Sequence, residues 1–305
     1  MKTLLLKVTA YLLALAGIYF FFASFAGGNT DGNYRHFAVE KPTNIILGDS
    51  RSSQAIVPSV LNNKLGRSFD NFSLNIVHSP YGKVYLNALN KKISPETKEG
   101  IFILSVSPWN LALGSGITDE KDFPENSSPL TNMHFYDLQP NIEYLLKNYS
   151  GNWYHIYRDR EEQGKSNAYV HKDGWLEVTV EMANQEVEKR KASKIKDYQG
   201  YAANQSLSED RLNALEDIID FLKPKGKVFL VRIPASEGIM KIENEKFHEF
   251  PARIQQLVDK KEVPYFDFSQ KSSSYKYTDG NHMYKESSKM ITAEIADSIR
   301  RYQSK

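Results

Sequence analysis

Ser50, near the start of the main body of the chain, stands where an acyl-transfer nucleophile works best. Residues 43–54 read TNIILGDSRSSQ; the apolar run predicts a buried strand, and a segment of helical character follows Ser50 directly. A serine between a strand and a helix has its hydroxyl at the edge of the sheet, near backbone N–H groups that lack helical partners. Such N–H groups attract negative charge, so the position predicts a nucleophile.

Serine needs a base, and residues 279–282 (Asp-Gly-Asn-His) offer one near the end of the chain. Histidine is the side chain best suited to take a proton near neutral pH. Asp279 would orient the ring of His282 and stabilise its imidazolium, so one loop supplies two members of a triad. Each stretch alone has a plainer interpretation, with Asp49 as a helix cap and residues 279–282 as an ordinary surface turn. Together, after the first and last predicted strands, they favour a Ser-His-Asp triad.

Composition excludes several classes of protein. With 305 residues, 41% hydrophobic and 25% charged, the chain can form one large domain with insertions or two unequal ones. The net charge of +2 gives no reason to expect a nucleic-acid partner. The absence of cysteine excludes a thiol nucleophile, disulfides, a Cys-based zinc site and a lipoprotein anchor. We expect no cofactor and no metal, because His155 with Asp159 and His171 with Asp173 match no ligand pattern.

The N-terminus predicts the compartment. Lys2 and Lys7 precede an uncharged apolar run at 8–26, close to the ~20 residues that span a bilayer as a helix. A cleaved signal peptide is the alternative, but the run exceeds the usual apolar length of a signal, and we expect an uncleaved single-pass anchor. In both cases the positive charges place the body outside the cytoplasm, in the periplasm or at the cell exterior. The predicted parts are an anchor or signal segment, a polar tether and a catalytic domain, at residues 1–26, 27–42 and 43–305.

Strands and helices alternate through the catalytic domain. Strands are predicted over 43–47, 68–74, 100–106, 228–233 and 265–268. Helices are predicted over 52–65, 81–92, 247–261 and 284–302. Pro58 leaves the first turn of the 52–65 helix uncertain. One more helix is predicted between an N-cap at Ser208 and a stop at Pro224. Five strands alternating with helices predict an α/β fold with a doubly wound parallel sheet.

The alternation breaks at about 111–201, which predicts an insertion with helices near 142–149 and 176–196. An insertion at this edge of an α/β sheet either shapes the substrate cleft or is a packing appendage.

In such a sheet the site lies beyond the carboxyl ends of the strands. Ser50, Asn75 and residues 107–110 all follow predicted strands. Arg51 would either bind an anionic substrate group or form a salt bridge at the sheet edge. Arg232 ends the fourth strand and interrupts an apolar run, so we expect it to face the cleft.

Gly48-Asp49-Ser50 and Asp279-x-x-His282 resemble the first and last sequence blocks of the SGNH/GDSL hydrolase superfamily. The resemblance covers most of residues 43–302 by the order of elements. It implies a flavodoxin-like three-layer α/β/α sandwich and activity on esters, acyl groups and acetylated sugars. It also implies that Ser50 is the nucleophile, His282 the base and Asp279 its orienting carboxylate. The chain looks most similar to a membrane-anchored branch, the DltD-like D-alanine-transfer and polysaccharide O-acetylation proteins.

The middle blocks depart from that superfamily. Its members take oxyanion donors from a glycine after the second strand and an asparagine after the third. Here Asn75 follows the second strand with no glycine before Gly82, and Ser107 stands where the asparagine would be. Losing one oxyanion donor costs about 100- to 1000-fold in turnover. Asn75, Ser107, Asn110 or the N–H of Arg51 would have to substitute.

The sequence therefore predicts an extracytoplasmic serine hydrolase or acyltransferase that acts on ester-linked acyl groups of a cell-envelope glycan. An acylated glycan and a membrane-bound acyltransferase are the expected partners. Three alternatives stay open. One is a carbohydrate esterase or lipase-like enzyme that keeps the triad, the second a non-enzymatic envelope protein that keeps the fold and binds glycan or such a partner, and the third a periplasmic ligand-binding domain.

Overall fold

Five parallel strands form the central sheet. The computed structural model describes residues 1–162 and 167–304. In chain order the strands are β1 (Asn44–Leu47), β2 (Phe69–Asn71), β3 (Gly100–Ser105), β4 (Gly226–Arg232) and β5 (Tyr265–Asp267). Their spatial order is β2-β1-β3-β4-β5, and all neighbouring pairs are parallel. This order confirms the expected flavodoxin-like α/β sheet.

Helices precede, connect and follow these strands. The α-helices of the described chain are α1 (Lys2–Ala23), α2 (Ser50–Ala55), α3 (Pro58–Leu65), α4 (Lys83–Lys92), α5 (Pro129–Asn132), α6 (Ile142–Lys147), α7 (Trp153–Arg158), α8 (Asn184–Asn204), α9 (Glu209–Leu222), α10 (Glu237–Lys246), α11 (Phe250–Lys261) and α12 (Lys285–Gln303). Short 3-10 helices cover Tyr34–Phe37, Trp109–Leu111, Glu120–Asp122, Pro124–Ser127, Asp159–Glu162, Lys223–Lys225 and Ser269–Ser274.

Side chains that alternate along the three central strands face two separate cores. One core packs against α4, α9 and α11 and takes from the strands Ile45, Leu47, Phe102, Leu104, Val228 and Leu230. The other packs against α3 and α12 and takes Ile46, Ile101, Ile103, Phe229 and Val231. Because successive side chains of a strand point to opposite faces, both faces of the sheet are buried and the fold has three layers.

Some helices differ from prediction. The predicted helix 52–65 is two helices, because Pro58 begins a new one, α3, in its first turn. The sequence pattern missed α10, in which Gly238 lowers the helix propensity. The predicted helix 176–196 is instead a short strand, Leu176–Val178, followed by α8. Residues 176–180 (LEVTV) alternate apolar and polar side chains, as a strand does.

The region between β3 and β4 carries the predicted insertion. Two short antiparallel strands, Ala112–Gly114 and Gln205–Leu207, pair at its base. A second small pair joins Ala168–Val170 to Leu176–Val178. Residues 163–166 of the insertion, and residue 305 at the end of the predicted catalytic domain, lie outside the described residues. Within the insertion, α8 is the long element that approaches the catalytic end of the sheet.

The N-terminal helix α1 is long and apolar enough to cross a membrane. The stretch that follows differs from the expected polar tether, because Tyr34 and Phe37 are fully buried. Asn141 fixes this stretch to the body, since its Nδ2 donates to the carbonyl of Phe37 at 2.6 Å. Residues 34–37 therefore pack as part of the folded body.

Candidate active site

The turn between β1 and α2 presents Ser50 at the edge of the sheet. Gly48 has a φ of 148°, and a Cβ there would lie 2.3 Å from Oγ of Ser52, so both backbone and space require glycine. Asp49 then caps α2, with its Oδ1 accepting the N–H of Arg51 at 2.9 Å. Ser50 is the first residue of α2 and remains half-buried while its neighbours are buried. The sharp turn thus leaves one serine hydroxyl within reach of solvent.

The loop of residues 279–282 meets this turn from the other end of the chain. Gly280 adopts a positive φ of 87°, and its carbonyl accepts the N–H of Ser236 at 2.7 Å, just after β4. The N–H of Thr278 donates to the carbonyl of His282 at 2.8 Å, which closes the loop. The loop is therefore held by its own backbone and by the end of the neighbouring strand.

Ser50, His282 and Asp279 form one chain of contacts. Nε2 of His282 lies 2.9 Å from Oγ of Ser50, and Nδ1 lies 2.9 Å from Oδ2 of Asp279. Oδ1 of Asp279 also accepts the backbone N–H groups of Asn281 and His282, each at 2.9 Å. The structure brings these three predicted residues together in the geometry of a serine nucleophile, a base and an orienting carboxylate.

The surroundings of Asp279 keep it ionised. Burial alone raises the pKa of its carboxyl group, but hydrogen bonds and charge from His282 and two backbone N–H donors outweigh burial and hold the pKa well below its usual range. The side chains of His282 and Asp279 are only 15% and 18% exposed. A stable carboxylate therefore faces Nδ1 and favours the tautomer in which Nε2 accepts a proton from Ser50.

Buried ion pairs hold the two arginines that were expected near the site. Arg51 is 3% exposed, and its Nη1 donates to Oε2 of Glu243 at 2.9 Å. Arg232, also 3% exposed, donates from Nη2 to Oε1 of the same carboxylate at 2.8 Å. This corrects the expectation that Arg232 faces the cleft, because it is buried against Glu243 and lies 3.7 Å from Oδ2 of Asp267 through its Nη1. For Arg51 the structure matches the salt bridge. Burial raises the pKa of Glu243, and the two arginines more than reverse that effect.

Asn281 connects this ion-pair network to the base. Its Oδ1 accepts from Nε of Arg51 at 2.7 Å and from the hydroxyl of Tyr198 at 2.8 Å. Its Nδ2 then lies 3.1 Å from Nε2 of His282. The amide orientation is fixed by two donors to its oxygen, so Asn281 holds the ring edge that faces Ser50.

Helix α8 of the insertion covers one side of the 279–282 loop. Arg190 donates from Nε to the carbonyl of Thr278 at 2.7 Å, and Tyr198 contributes the hydroxyl described above. Nζ of Lys194 lies 3.9 Å from Oδ2 of Asp279. The insertion therefore contributes to positioning the triad loop.

Three of the four predicted oxyanion donors already form hydrogen bonds within the protein. The N–H of Arg51 is engaged in the Asp49 cap, and Nδ2 of Asn110 donates to the carbonyl of Ser105 at 3.0 Å. The hydroxyl of Ser107 donates to Oδ2 of Asp49 at 3.3 Å, and its backbone N–H donates to Oδ1 of Asn110 at 3.0 Å. These groups stabilise the turn after β3, where Ser107 and Asn110 are buried.

Asn75 is the exposed member of the predicted set. Its Oδ1 accepts the N–H groups of Val77 and His78, both at 3.1 Å, and its Nδ2 has no hydrogen-bond partner among the described residues. Two residues earlier, the hydroxyl of Ser73 contacts the hydroxyl of Ser52 on α2 at 2.9 Å, so the loop after β2 lies against α2. Of the predicted donors, Asn75 keeps its amide available.

Glu243 and Tyr198 are site residues that sequence reasoning missed. A signal for Glu243 exists, because it shares the apolar face of α10 with Ile239 and Met240, where a carboxylate needs a buried partner. Tyr198 carries no comparable signal within α8. Trp109 is 3% exposed and donates from Nε1 to Glu243 at 2.8 Å.

The described ranges contain no group of three or more His, Asp or Glu side chains that could hold an ion. His171 and Asp173 form hydrogen bonds with other residues. Nε2 of His171 lies 2.9 Å from Oε2 of Glu177, and Oδ1 of Asp173 accepts the N–H of Trp175.

No family model matches the sequence, and no curated protein matches it. Among solved structures, the chain is similar to Est24, a carbohydrate acetylesterase from Sinorhizobium meliloti, at 12% identity and a TM-score of 0.37, covering 86% of this chain and 100% of that one. It is also similar to an inhibitor-bound aryl esterase of M. smegmatis, at 12% identity and a TM-score of 0.35, covering 85% of this chain and 98% of that one.

Proposed function

We propose that this protein is an extracytoplasmic serine hydrolase or acyltransferase of the SGNH type that acts on ester-linked acyl groups of a cell-envelope glycan. The observation that carries the proposal is the chain of contacts from Ser50 through His282 to Asp279, each at 2.9 Å. The sequence blocks around Ser50 and His282 support the ester class. The apolar helix α1 supports a single-pass anchor with the catalytic domain in the periplasm or at the cell exterior.

The proposed reaction has two acyl-transfer steps. Oγ of Ser50 attacks the ester carbonyl carbon as its proton passes to Nε2 of His282, and Asp279 stabilises the imidazolium. The oxyanion collapses, the bond to the glycan oxygen breaks, and that oxygen leaves with the proton from His282. Water or a second glycan hydroxyl then attacks the acyl-serine carbonyl carbon and gives its proton to His282. The bond between Oγ of Ser50 and the acyl carbon breaks, the free acid or the new glycan ester leaves, and Oγ takes that proton from His282.

Two donors are proposed for the oxyanion. The backbone N–H of Ser50 lies at the start of α2 and has no acceptor among the described residues. Asn75 is exposed two residues after Ser73, whose hydroxyl contacts Ser52 on α2. Donors of this kind stabilise the transition state only if they lie about 3 Å from the developing charge. Substrate binding would bring the carbonyl oxygen between them.

A non-enzymatic envelope protein is the second candidate, and one observation favours it. Ser107 and Asn110, which follow β3 where oxyanion donors were expected, are buried and engaged within their own turn. A protein with this site would bind an acylated glycan or a membrane-bound acyltransferase without turning over an ester.

Acetate release from an O-acetylated glycan tests the proposal. The full chain in detergent is incubated with acetylated xylan, with and without an unacetylated glycan acceptor, and hydroxylamine traps the acyl-enzyme. We expect acetate release or transfer by the wild type and by Ser59→Ala, a matched exposed serine on α3, with background levels for Ser50→Ala. Equal turnover by Ser50→Ala contradicts the proposal. Glycan binding that Ser50→Ala retains, without turnover by any variant, supports the second candidate.

A further inference from the structure

A cavity of about 500 Å³ lies where α1 ends. Residues 24–30, which leave the helix, form one wall, and the other walls include Arg35, His155, Asp159, Arg160 and Lys172. We call this space the α1 cavity. It shares no lining residue with the Ser50 site.

Arg35 lines the α1 cavity with a buried charge that nothing described neutralises. The residue is 5% exposed, and its Nε and Nη1 atoms are buried without a hydrogen-bond partner. Among the described residues no carboxylate lies within ion-pair distance of Arg35, whereas the buried Arg51, Arg211 and Arg232 each pair with a glutamate. Because an unpaired buried charge is costly, Arg35 requires a counter-ion.

The other charges around the cavity do not cancel Arg35. The carboxylate of Asp159 is held by Arg158, whose Nη2 donates to it at 2.9 Å. Lys172 is exposed and forms no ion pair with the described residues. The guanidinium of Arg160 lies 3.7 Å from the ring centroid of Tyr157. The described lining is therefore positive and suits a small anion.

Aromatic side chains near the C-terminal end of α1 indicate how deep the α1 cavity would lie relative to a membrane. Tyr19 packs against Trp153 with ring centroids 4.8 Å apart, and Phe25 packs against Tyr157 at 5.1 Å. Tryptophan and tyrosine concentrate at the headgroup level of a membrane. If α1 spans the bilayer, the cavity directly beyond these rings lies among the phosphates of the outer leaflet.

We propose that the α1 cavity binds a phosphate group, with Arg35 as its principal ligand and Lys172 at its mouth. Arginine suits phosphate because its planar donors match the oxygens. The phosphate chemistry follows from the cavity alone. Its source as an anionic lipid headgroup rests on α1 being a membrane anchor, and the experiment separates a lipid phosphate from a free one.

Binding is measured with the full chain in detergent, by thermal shift and isothermal titration. The probes are short-chain phosphatidylglycerol, short-chain phosphatidylcholine and inorganic phosphate. We expect phosphatidylglycerol to bind at least 10-fold more tightly than phosphatidylcholine. Binding of phosphatidylglycerol alone identifies a lipid site, and equal binding of inorganic phosphate identifies a free-phosphate site; both outcomes support the proposal.

Variants decide whether the binding belongs to this cavity. Arg35→Gln should weaken binding at least 10-fold and Lys172→Gln about threefold, while Lys98→Gln, an exposed lysine elsewhere, leaves it unchanged. If Arg35→Gln does not fold, Lys172→Gln and the salt dependence of binding decide. The proposal is overturned if no probe binds, if phosphatidylcholine binds as tightly, or if the cavity variants match Lys98→Gln.

Discussion

The region around Ser50, His282 and Asp279 and the α1 cavity differ in whether their buried arginines are paired with a carboxylate. Beside the triad, Arg51 and Arg232 share the carboxylate of Glu243, and Arg51 also holds Asn281. Around the α1 cavity, Arg35 has no such carboxylate among the described residues. Paired charges fix the side chains around the hydroxyl of Ser50, as the proposed catalysis requires. An unpaired buried charge such as that of Arg35 can instead bind an anion from solution or from a membrane.

The carboxylate of Asp279 should matter most to the rate. Asp279→Asn replaces it with an amide that no longer enforces the productive tautomer of His282, and we expect kcat to fall about 10⁴-fold. The measurement is ester turnover, with Asp197→Asn, an exposed aspartate of α8, as the matched control. A loss of less than tenfold would mean that Asp279 does not orient the base.

Removing the shared charge of Glu243 tests the paired side of the comparison. Glu243→Gln keeps the shape but leaves Arg51 buried without its carboxylate and Arg232 with only Asp267, whose Oδ2 lies 3.7 Å from Nη1. This should lower the free energy of unfolding by about 3–5 kcal/mol. Urea denaturation of the full chain measures this. Glu245→Gln, on the exposed side of the same helix, should change it by less than about 0.5 kcal/mol. Similar values for both variants would contradict the role given to the ion pairs.

Asn75 tests the proposed oxyanion donors. Asn75→Asp keeps the Oδ1 acceptor that holds the turn but replaces the amide donor with an oxygen, so kcat should fall about 100- to 1000-fold with little change in KM. Asn90→Ala, an exposed asparagine of α4, is the control. Wild-type turnover in Asn75→Asp would show that Asn75 is not an oxyanion donor and would leave the backbone N–H of Ser50 as the proposed donor.

His36, next to Arg35, should make stability depend on pH. Burial, with a smaller effect from Lys92, lowers the pKa of His36 to about 3, so the folded protein keeps it neutral while the unfolded chain binds a proton below about pH 6.5. Stability therefore falls as pH drops from 6.5 towards 3, by about 2 kcal/mol at pH 5. His36→Gln should remove that part of the pH dependence, whereas the exposed His248→Gln should keep it. Identical pH slopes for wild type and His36→Gln would show that His36 is not held neutral.

The sequence predicts the sheet well because each strand leaves a local signal. Apolar runs such as 100–106 end at turn residues, and parallel strands buried on both faces need just such runs. Segments between strands were less predictable. The division of 52–65 at Pro58 and the strand at Leu176–Val178 depend on a few residues whose helix and strand preferences nearly balance.

Site residues that depend on local sequence could be predicted, and those that depend on distant contacts could not. Asp279 and His282 lie in one loop, so the sequence shows their pairing, and Ser50 is marked by its turn. Glu243 and Tyr198 reach the site only through tertiary packing of α10 and α8, which no local pattern contains. The burial of residues 34–37, which the sequence predicts as part of a polar tether, depends on distant segments, as in the hydrogen bond from Asn141 to the carbonyl of Phe37.

The central claim is that Ser50 is an activated nucleophile, and a fluorophosphonate tests it most directly. Intact-mass spectrometry of the full chain after labelling should show one adduct, which peptide mapping places on Ser50. Ser50→Ala should show none, and Ser59→Ala should label as the wild type does. A wild-type chain that stays unlabelled, or that labels no more than Ser50→Ala, would contradict the claim.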